Sequence, residues 1–257
     1  MRSPLSIAIA CYPTLGGSGI IAADIAAGIA KRGHQVHVVA SALPSRMLPQ
    51  CSNLLFHEVR VPDYPLFEHP PYAIAMAATL VEIATAGHLD IIHAHYAIPH
   101  AASAYLARQV LGAHPPKIVT TLHGTDVTQL GSDPSYRSIT RFTLEASDRV
   151  TVPSQFLREE TYRQIGLARN YPIDVIGNFV DTERFAPPPR RDPRHFDSLF
   201  ANTSEHGTPV LFHVSNFRAV KRVTDLLEIL HRVRRQLPAR LVVVGDGPER
   251  TQALRRA

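Results

Sequence analysis

Residues 5–19, "LSIAIACYPTLGGSG", run from an apolar stretch into a glycine-rich turn, and the helical pattern "IIAADIAAGIAKRG" follows at 20–33. A strand leading through glycines to a helix N-terminus is a common way to cradle an anion: the helix offers backbone N–H groups, and glycine lets the chain come close. The glycines fall at Gly16, Gly17 and Gly19, which is not the G-x-G-x-x-G spacing of a dinucleotide fold. No Lys-Ser/Thr pair follows for a P-loop. What the turn holds has to be read from its surroundings.

Strand-like runs alternate with helical periodicity on both sides of it. Strands are expected near 5–11, 35–40, 54–58, 90–94, 117–122, 149–152 and 173–176, and helices near 18–32, 72–86, 99–112, 135–146 and 155–167. Short apolar runs such as "KIVTTL" and "DRVTVPS" read as strands buried on both faces, as in a parallel sheet covered by helices. Gly33 after "AKR" marks a helix stop with cations in its last turn. The fold class is α/β, with a doubly wound first domain that places ligands at the carboxyl ends of its strands.

The rhythm breaks at 185–208, where proline and charge predict a linker. It resumes over 209–257 with "VLFHVS", "NFRAVKR", the helical "VTDLLEILHRVRRQL" and "ARLVVVGDG". The expected organisation is a Rossmann-like domain over 1–184, the linker, and the start of a second such domain. Two strands in some fifty residues bury little apolar surface.

Composition narrows the class. The chain of 257 residues has no apolar stretch of about twenty residues that would span a bilayer. Its N-terminal apolar run is too short, and too soon closed by Tyr12 and Pro13, for a signal peptide. Cys11 and Cys51 make no disulfide framework. A cytoplasmic protein without stable membrane association is the expectation. Charge is uneven: residues 1–186 hold 14 Lys/Arg against 15 Asp/Glu, while 187–257 hold 13 against 7. A basic second part suits an anionic ligand. Nucleic acid is not expected, because the cations are not interleaved with aromatics and no nucleic-acid motif stands out.

The turns after the strands carry the chemistry: "HAHYAIPH" (93–100), "HGTDVTQLGSDPS" (123–135), "GNFVDTERF" (177–185), "SNFRAVKR" (215–222) and "GDGPE" (245–249). With "CYPTLGGSG", "FHEV", "PPY", "KIVTTLHGTD" and "LVVVGDGPE", they make the chain resemble the retaining GT-B glycosyltransferases of family 4, from about Ile7 to Glu249. "HGTD" and "GDGPE" point to the family as a whole. "HYAIPH" and "LHGTDVTQLGSDPS" resemble its malate-using members. The family continues past the end of this sequence with a glutamate-bearing segment that grips the donor, so the second domain is expected to be truncated here.

The resemblance implies transfer of N-acetylglucosamine from the donor UDP-GlcNAc (UDP-N-acetylglucosamine) to the hydroxyl of L-malate, with the α configuration kept. No metal or other cofactor is implied. Arg218, Lys221 and Arg222 follow a strand in the basic part, where charge-assisted hydrogen bonds would neutralise the departing diphosphate. Arg222 has the alternative of facing solvent. Gly16, Gly17 and Gly247 are the implied backbone contacts to the donor. Ser18, Tyr96, Thr121, Asn178 and Arg218 are the implied acceptor contacts. Tyr96 is equally readable as a core aromatic, and Asn178 as a hinge residue.

The resemblance places His123 near the reacting centre, where positioning is preferred to general-base work, since the departing phosphate oxygen is able to take the acceptor's proton. Asp126 reads as a cap for the turn. Retaining glycosidases need two carboxylates about 5 Å apart, and Asp126 has no evident second acid. His93 and His95 share a strand face and are a conceivable zinc pair, but no compact set of ligands completes it. The rival readings are a family 4 enzyme with another acceptor such as inositol, a nucleotide-sugar epimerase, and a truncated binding fragment without activity. A homo-oligomer is compatible with the sequence.

Overall fold

The structure is a computed structural model, and it describes residues 3–14, 16–46, 51–65, 67–187 and 208–257. The chain divides into two compact units, Met1–Val180 and Asp181–Ala257. Most of the expected linker, 188–207, lies outside the described residues.

The first unit is one parallel sheet of β1 (Ser6–Ala10), β2 (Gln35–Ala40), β3 (Leu54–Glu58), β4 (Ile91–His95), β5 (Lys117–Thr121), β6 (Arg149–Val152) and β7 (Ile173–Val175). Their spatial order is β3-β2-β1-β4-β5-β6-β7. Winding runs one way from β1 to β3 and the other way from β4 to β7. The carboxyl ends of β1 and β4 therefore flank the switch point, where open parallel sheets hold their ligands.

Helices α1 (Ser18–Lys31), α2 (Tyr72–Ala86), α3 (Ala102–Leu111), α4 (Pro134–Glu145) and α5 (Gln155–Ile165) cover the sheet. Alternation along β1 decides which helix meets which face. Ile7, Ile9 and Cys11 pack with Ala22, Ala26 and Ala30 of α1. Ala8 and Ala10 face Met76, Leu80 and Ile83 of α2 and Ala104 and Ala107 of α3. Alanines spaced by four put methyl groups of α1 against the sheet, with Ile25 and Ile29 packed beside them. Under α4 and α5, Leu144, Leu157 and Ile165 close a further cluster on Val150, Val152 and Ile173. Each fully buried Ile or Leu contributes about 1.5–3 kcal/mol.

The ends of the helices follow the expected chemistry. Gly33 stops α1 with φ 87°. Asp133 caps α4 through Ser135 N at 2.8 Å, with Pro134 at its first position. Ser154 caps α5 through Leu157 N at 3.2 Å, and Gly166 ends it in the left-handed region. One helix start is a correction. The expected helix over 99–112 begins at Ala102, because Ala97–Ala101 forms a wide irregular turn in which Ile98 is extended (φ −124°, ψ 130°).

The second unit holds β8 (Val210–Val214) paired in parallel with β9 (Arg240–Val244), and helices α6 (Val223–Arg234) and α7 (Arg250–Arg256). Its two functional turns interlock. Phe217 N donates to Asp246 O (2.8 Å), Glu249 N donates to Phe217 O (2.9 Å), and Phe217 is buried between them.

Candidate functional site

Three turns at the carboxyl edge of the first sheet, after β1, β4 and β5, meet around the switch point. In the β1–α1 turn, Gly17 takes φ 58° and ψ −120°, and α1 starts at Ser18 without a side-chain cap. Thr14 Oγ1 closes the turn onto Gly16 O at 2.9 Å. A Cβ on Gly19 would stand 2.6 Å from Tyr12 O and 2.7 Å from Thr14 O, so glycine there lets the turn fold on itself. Gly16 is half-buried, Gly17 exposed and Ser18 buried.

Tyr12 links this turn to the next. Its ring lies edge-on to those of Tyr96 (5.4 Å) and His100 (4.5 Å). Tyr96 follows β4 at φ 86° and ψ 139°, a conformation that costs a tyrosine of order 1–3 kcal/mol. Backbone bonds hold it there: Tyr96 N donates to Thr121 O at 3.0 Å, and Tyr96 O accepts from Ala101 N at 3.1 Å. Its hydroxyl accepts from Thr125 Oγ1 at 3.3 Å. Tyr96 is half-buried, its ring packed against Tyr12, His100 and His123 and its hydroxyl at Thr125.

His123 follows β5, with the Tyr96 ring on one side (5.1 Å) and His95 on another. Asp126, almost fully buried, accepts from His123 N (3.1 Å) and Gly124 N (2.9 Å), which is the turn cap expected from the sequence. Burial pushes its carboxyl up to about 6, against the opposing pull of backbone N–H groups including that of Ala97.

A cluster of imidazoles lies beneath. His93 Nε2 bonds Thr121 Oγ1 at 2.7 Å, and Thr121 Oγ1 bonds Thr151 Oγ1 at 2.6 Å. His95 Nδ1 bonds His123 Nε2 at 2.9 Å, and His100 Nδ1 donates to the His95 carbonyl. Burial pushes His93, His100 and His123 down to about 4, and it holds His95 well below the usual imidazole range, with the neighbouring imidazoles adding to the effect. All four are neutral at pH 7. His93 and His95 do share a face, with rings 4.5 Å apart, but their partners are Thr121 and His123. Among the described residues no three His, Cys, Asp or Glu stand together as a metal site.

Of the residues singled out in the sequence, Ser18, Tyr96, Thr121 and His123 lie on these neighbouring turns and strand ends. The Thr121 hydroxyl is engaged by His93 and Thr151. Asn178 is exposed beyond β7, three strands from β4, roughly 14 Å across the sheet, and no described contact joins it to the cluster. Tyr12 was not singled out as a site residue, and His95 only as half of a zinc pair; the two-residue spacing of "HAHY" is the signal that His95 left.

Arg218, Lys221, Arg222 and Gly247 sit together in the second unit. Arg218 and Lys221 are exposed and form no ion pair among the described residues. Arg222 pairs with Asp225, in keeping with its alternative as a surface residue. Gly247 has φ 151°, and a Cβ there would meet Phe217 O at 2.7 Å and Phe217 N at 2.8 Å. The close approach that requires glycine there is made to the neighbouring turn.

The family described as Glycosyltransferase Family 4 matches residues 15–184. Over 245 residues, 95% of this chain, identity is 43% to an N-acetyl-alpha-D-glucosaminyl L-malate synthase of Bacillus anthracis, of whose length the chain spans 62%. Among solved structures, a glycosyltransferase from Rickettsia africae superposes with TM-score 0.74 at 19% identity, over 99% of this chain and 64% of that one. Anabaena HepE in complex with UDP gives 0.68 at 17%, over 98% and 66%. A UDP-N-acetylglucosamine 2-epimerase from Rickettsia bellii gives 0.56 at 13%, over 98% and 64%. These likenesses establish an α/β fold of Rossmann-like units of the GT-B type. With the family match covering most of the first unit and a relative at 43% identity, the chain belongs to glycosyltransferase family 4.

Proposed function

We propose that this chain serves a retaining transfer of N-acetylglucosamine from UDP-N-acetylglucosamine to the hydroxyl of L-malate. The observation that carries the proposal is the 43% identity, sustained over 95% of the chain, to a protein named for that product. In this reading the bond from the anomeric carbon to the β-phosphate oxygen breaks as the malate hydroxyl oxygen bonds to that carbon. The hydroxyl proton passes to the departing phosphate oxygen, and UDP leaves. No enzymic nucleophile is needed.

The first unit supplies the acceptor and sugar contacts in this proposal. Ser18 at the start of α1 and Tyr96 after β4 are the polar groups for a small dianion, and His123 orients the sugar. A neutral imidazole pushed down to about 4 keeps its proton count fixed over the working pH range, which suits orientation better than proton abstraction. The second unit supplies Arg218 and Lys221, whose unpaired cations suit the charge that grows on the diphosphate. Their turn is fixed by the Phe217 interlock, so the positive charge needs little reorganisation when the bond breaks.

The test is a transfer assay with UDP-N-acetylglucosamine offered malate, inositol, other 2-hydroxy acids, or no acceptor. Product with malate alone supports the proposal. Product only with another acceptor refutes malate and keeps the family. A rearranged sugar without acceptor would point to epimerase chemistry.

A further inference from the structure

We propose that His95 is a positioning residue which, by donating from Nδ1–H to His123 Nε2, fixes His123 as its Nδ1–H tautomer and so makes it a hydrogen-bond donor to ligand rather than a base. The geometry of the pair comes first. The nitrogens are 2.9 Å apart, the rings are inclined by 25°, and their centroids are 5.1 Å apart. That separation is close to the hydrogen-bond length plus the two ring radii, so the bond runs along the in-plane lone-pair direction of both rings.

Two neutral imidazoles share one such bond in two ways. If His123 Nε2–H donates, the His95 proton must sit on Nε2. If His95 Nδ1–H donates, His95 Nε2 carries only a lone pair. His95 is fully buried, and its Nε2 has no partner among the described residues. An orphaned buried N–H is rarer and costlier than an unfilled acceptor, which selects the second arrangement. His100 repeats the pattern independently. Its Nδ1 faces the His95 carbonyl, which accepts only, so its proton is on Nδ1 and its buried Nε2 is likewise bare.

For His123 the consequence is specific. Its Nε2 lone pair is occupied by His95, which leaves Nδ1–H as the ring atom offered to a ligand oxygen, and the side chain is only partly buried. An Nδ1–H group cannot take a proton from an acceptor hydroxyl. It can hold a sugar hydroxyl or a phosphate oxygen. The catalytic meaning rests on the proposed function, whereas the tautomer does not.

The tautomer is read without substrate by two-bond ¹H–¹⁵N correlation on the full chain carrying ¹⁵N-histidine at pH 7, with the His123 signals assigned by their loss in His123→Asn. The expected result is an unprotonated Nε2, a protonated Nδ1, and a scalar coupling across the bond to His95 Nδ1. In water the Nε2–H form predominates, so finding it at His123 would overturn the proposal. In His95→Phe the Nε2–H form should return, and persistence of Nδ1–H would remove His95 as the cause. Should that variant not fold, the wild-type spectrum decides: a His123 Nε2 without a proton, coupled to a protonated His95 Nδ1, upholds the donation, and a proton on His123 Nε2 refutes it. A failed transfer assay beside an intact tautomer would sink the functional reading and leave this one standing.

Discussion

Lowering the pH from 7 to 5 should strip about 4 kcal/mol from the stability of the first unit. His93, His100 and His123 are pushed from 6.5 to about 4 in the folded chain, so at pH 5 each is protonated when unfolded and mostly neutral when folded. Unfolding then takes up protons, stability rises with pH between 4 and 6.5, and it falls as acid is added. Over this interval each imidazole costs about 2 kcal/mol. Asp126 works in the opposite sense. Its folded value is raised to about 6, so it binds a proton in the native state first and offsets about 1 kcal/mol. His95 adds to the loss in the same direction as the other imidazoles. The assay is urea unfolding followed by far-UV circular dichroism at several pH values, since the chain has no tryptophan to report. A loss below about 1 kcal/mol would mean that the imidazoles titrate normally in the folded protein, and the buried neutral cluster would be refuted.

Other perturbations separate structure from chemistry. Arg218→Ala and Lys221→Ala should each leave stability within about 0.5 kcal/mol, as exposed unpaired cations. In a transfer-competent assay each should slow turnover by about 10²-fold; unchanged turnover would remove the residue from the diphosphate. Gly19→Ala should destabilise by about 1–3 kcal/mol in urea melts, because its Cβ would press on the backbone of Tyr12 and Thr14. Asp126→Asn replaces an acceptor of several backbone N–H groups with an amide that presents its own N–H; a midpoint loss equivalent to about 1–3 kcal/mol is expected, and none would deny the cap.

Local signals in the sequence carried the sheet and its helices well. Uniformly apolar runs mark strands covered on both faces, and Gly33, Asp133 and Ser154 mark helix ends by their own chemistry. Where local order failed, a distant partner decided. The helix expected over 99–112 starts late, at Ala102, after an irregular turn preceded by Tyr96, which is tied to Thr121 of the neighbouring strand. The need for glycine at 247 is set by Phe217, which comes from the distant turn after β8. The imidazole cluster was half legible. Two-residue spacing put His93 and His95 on one face, but only the register of β4 against β5 brings in Thr121 and His123 as their partners.

The clasp between Phe217 and the glycines beyond β9 has a genealogical consequence. The two loops form one heritable piece: lengthening either, or replacing either glycine, must be answered in the other before the chain folds again. Drift in this corner should therefore proceed by paired changes that keep the display of Arg218 and Lys221 in place.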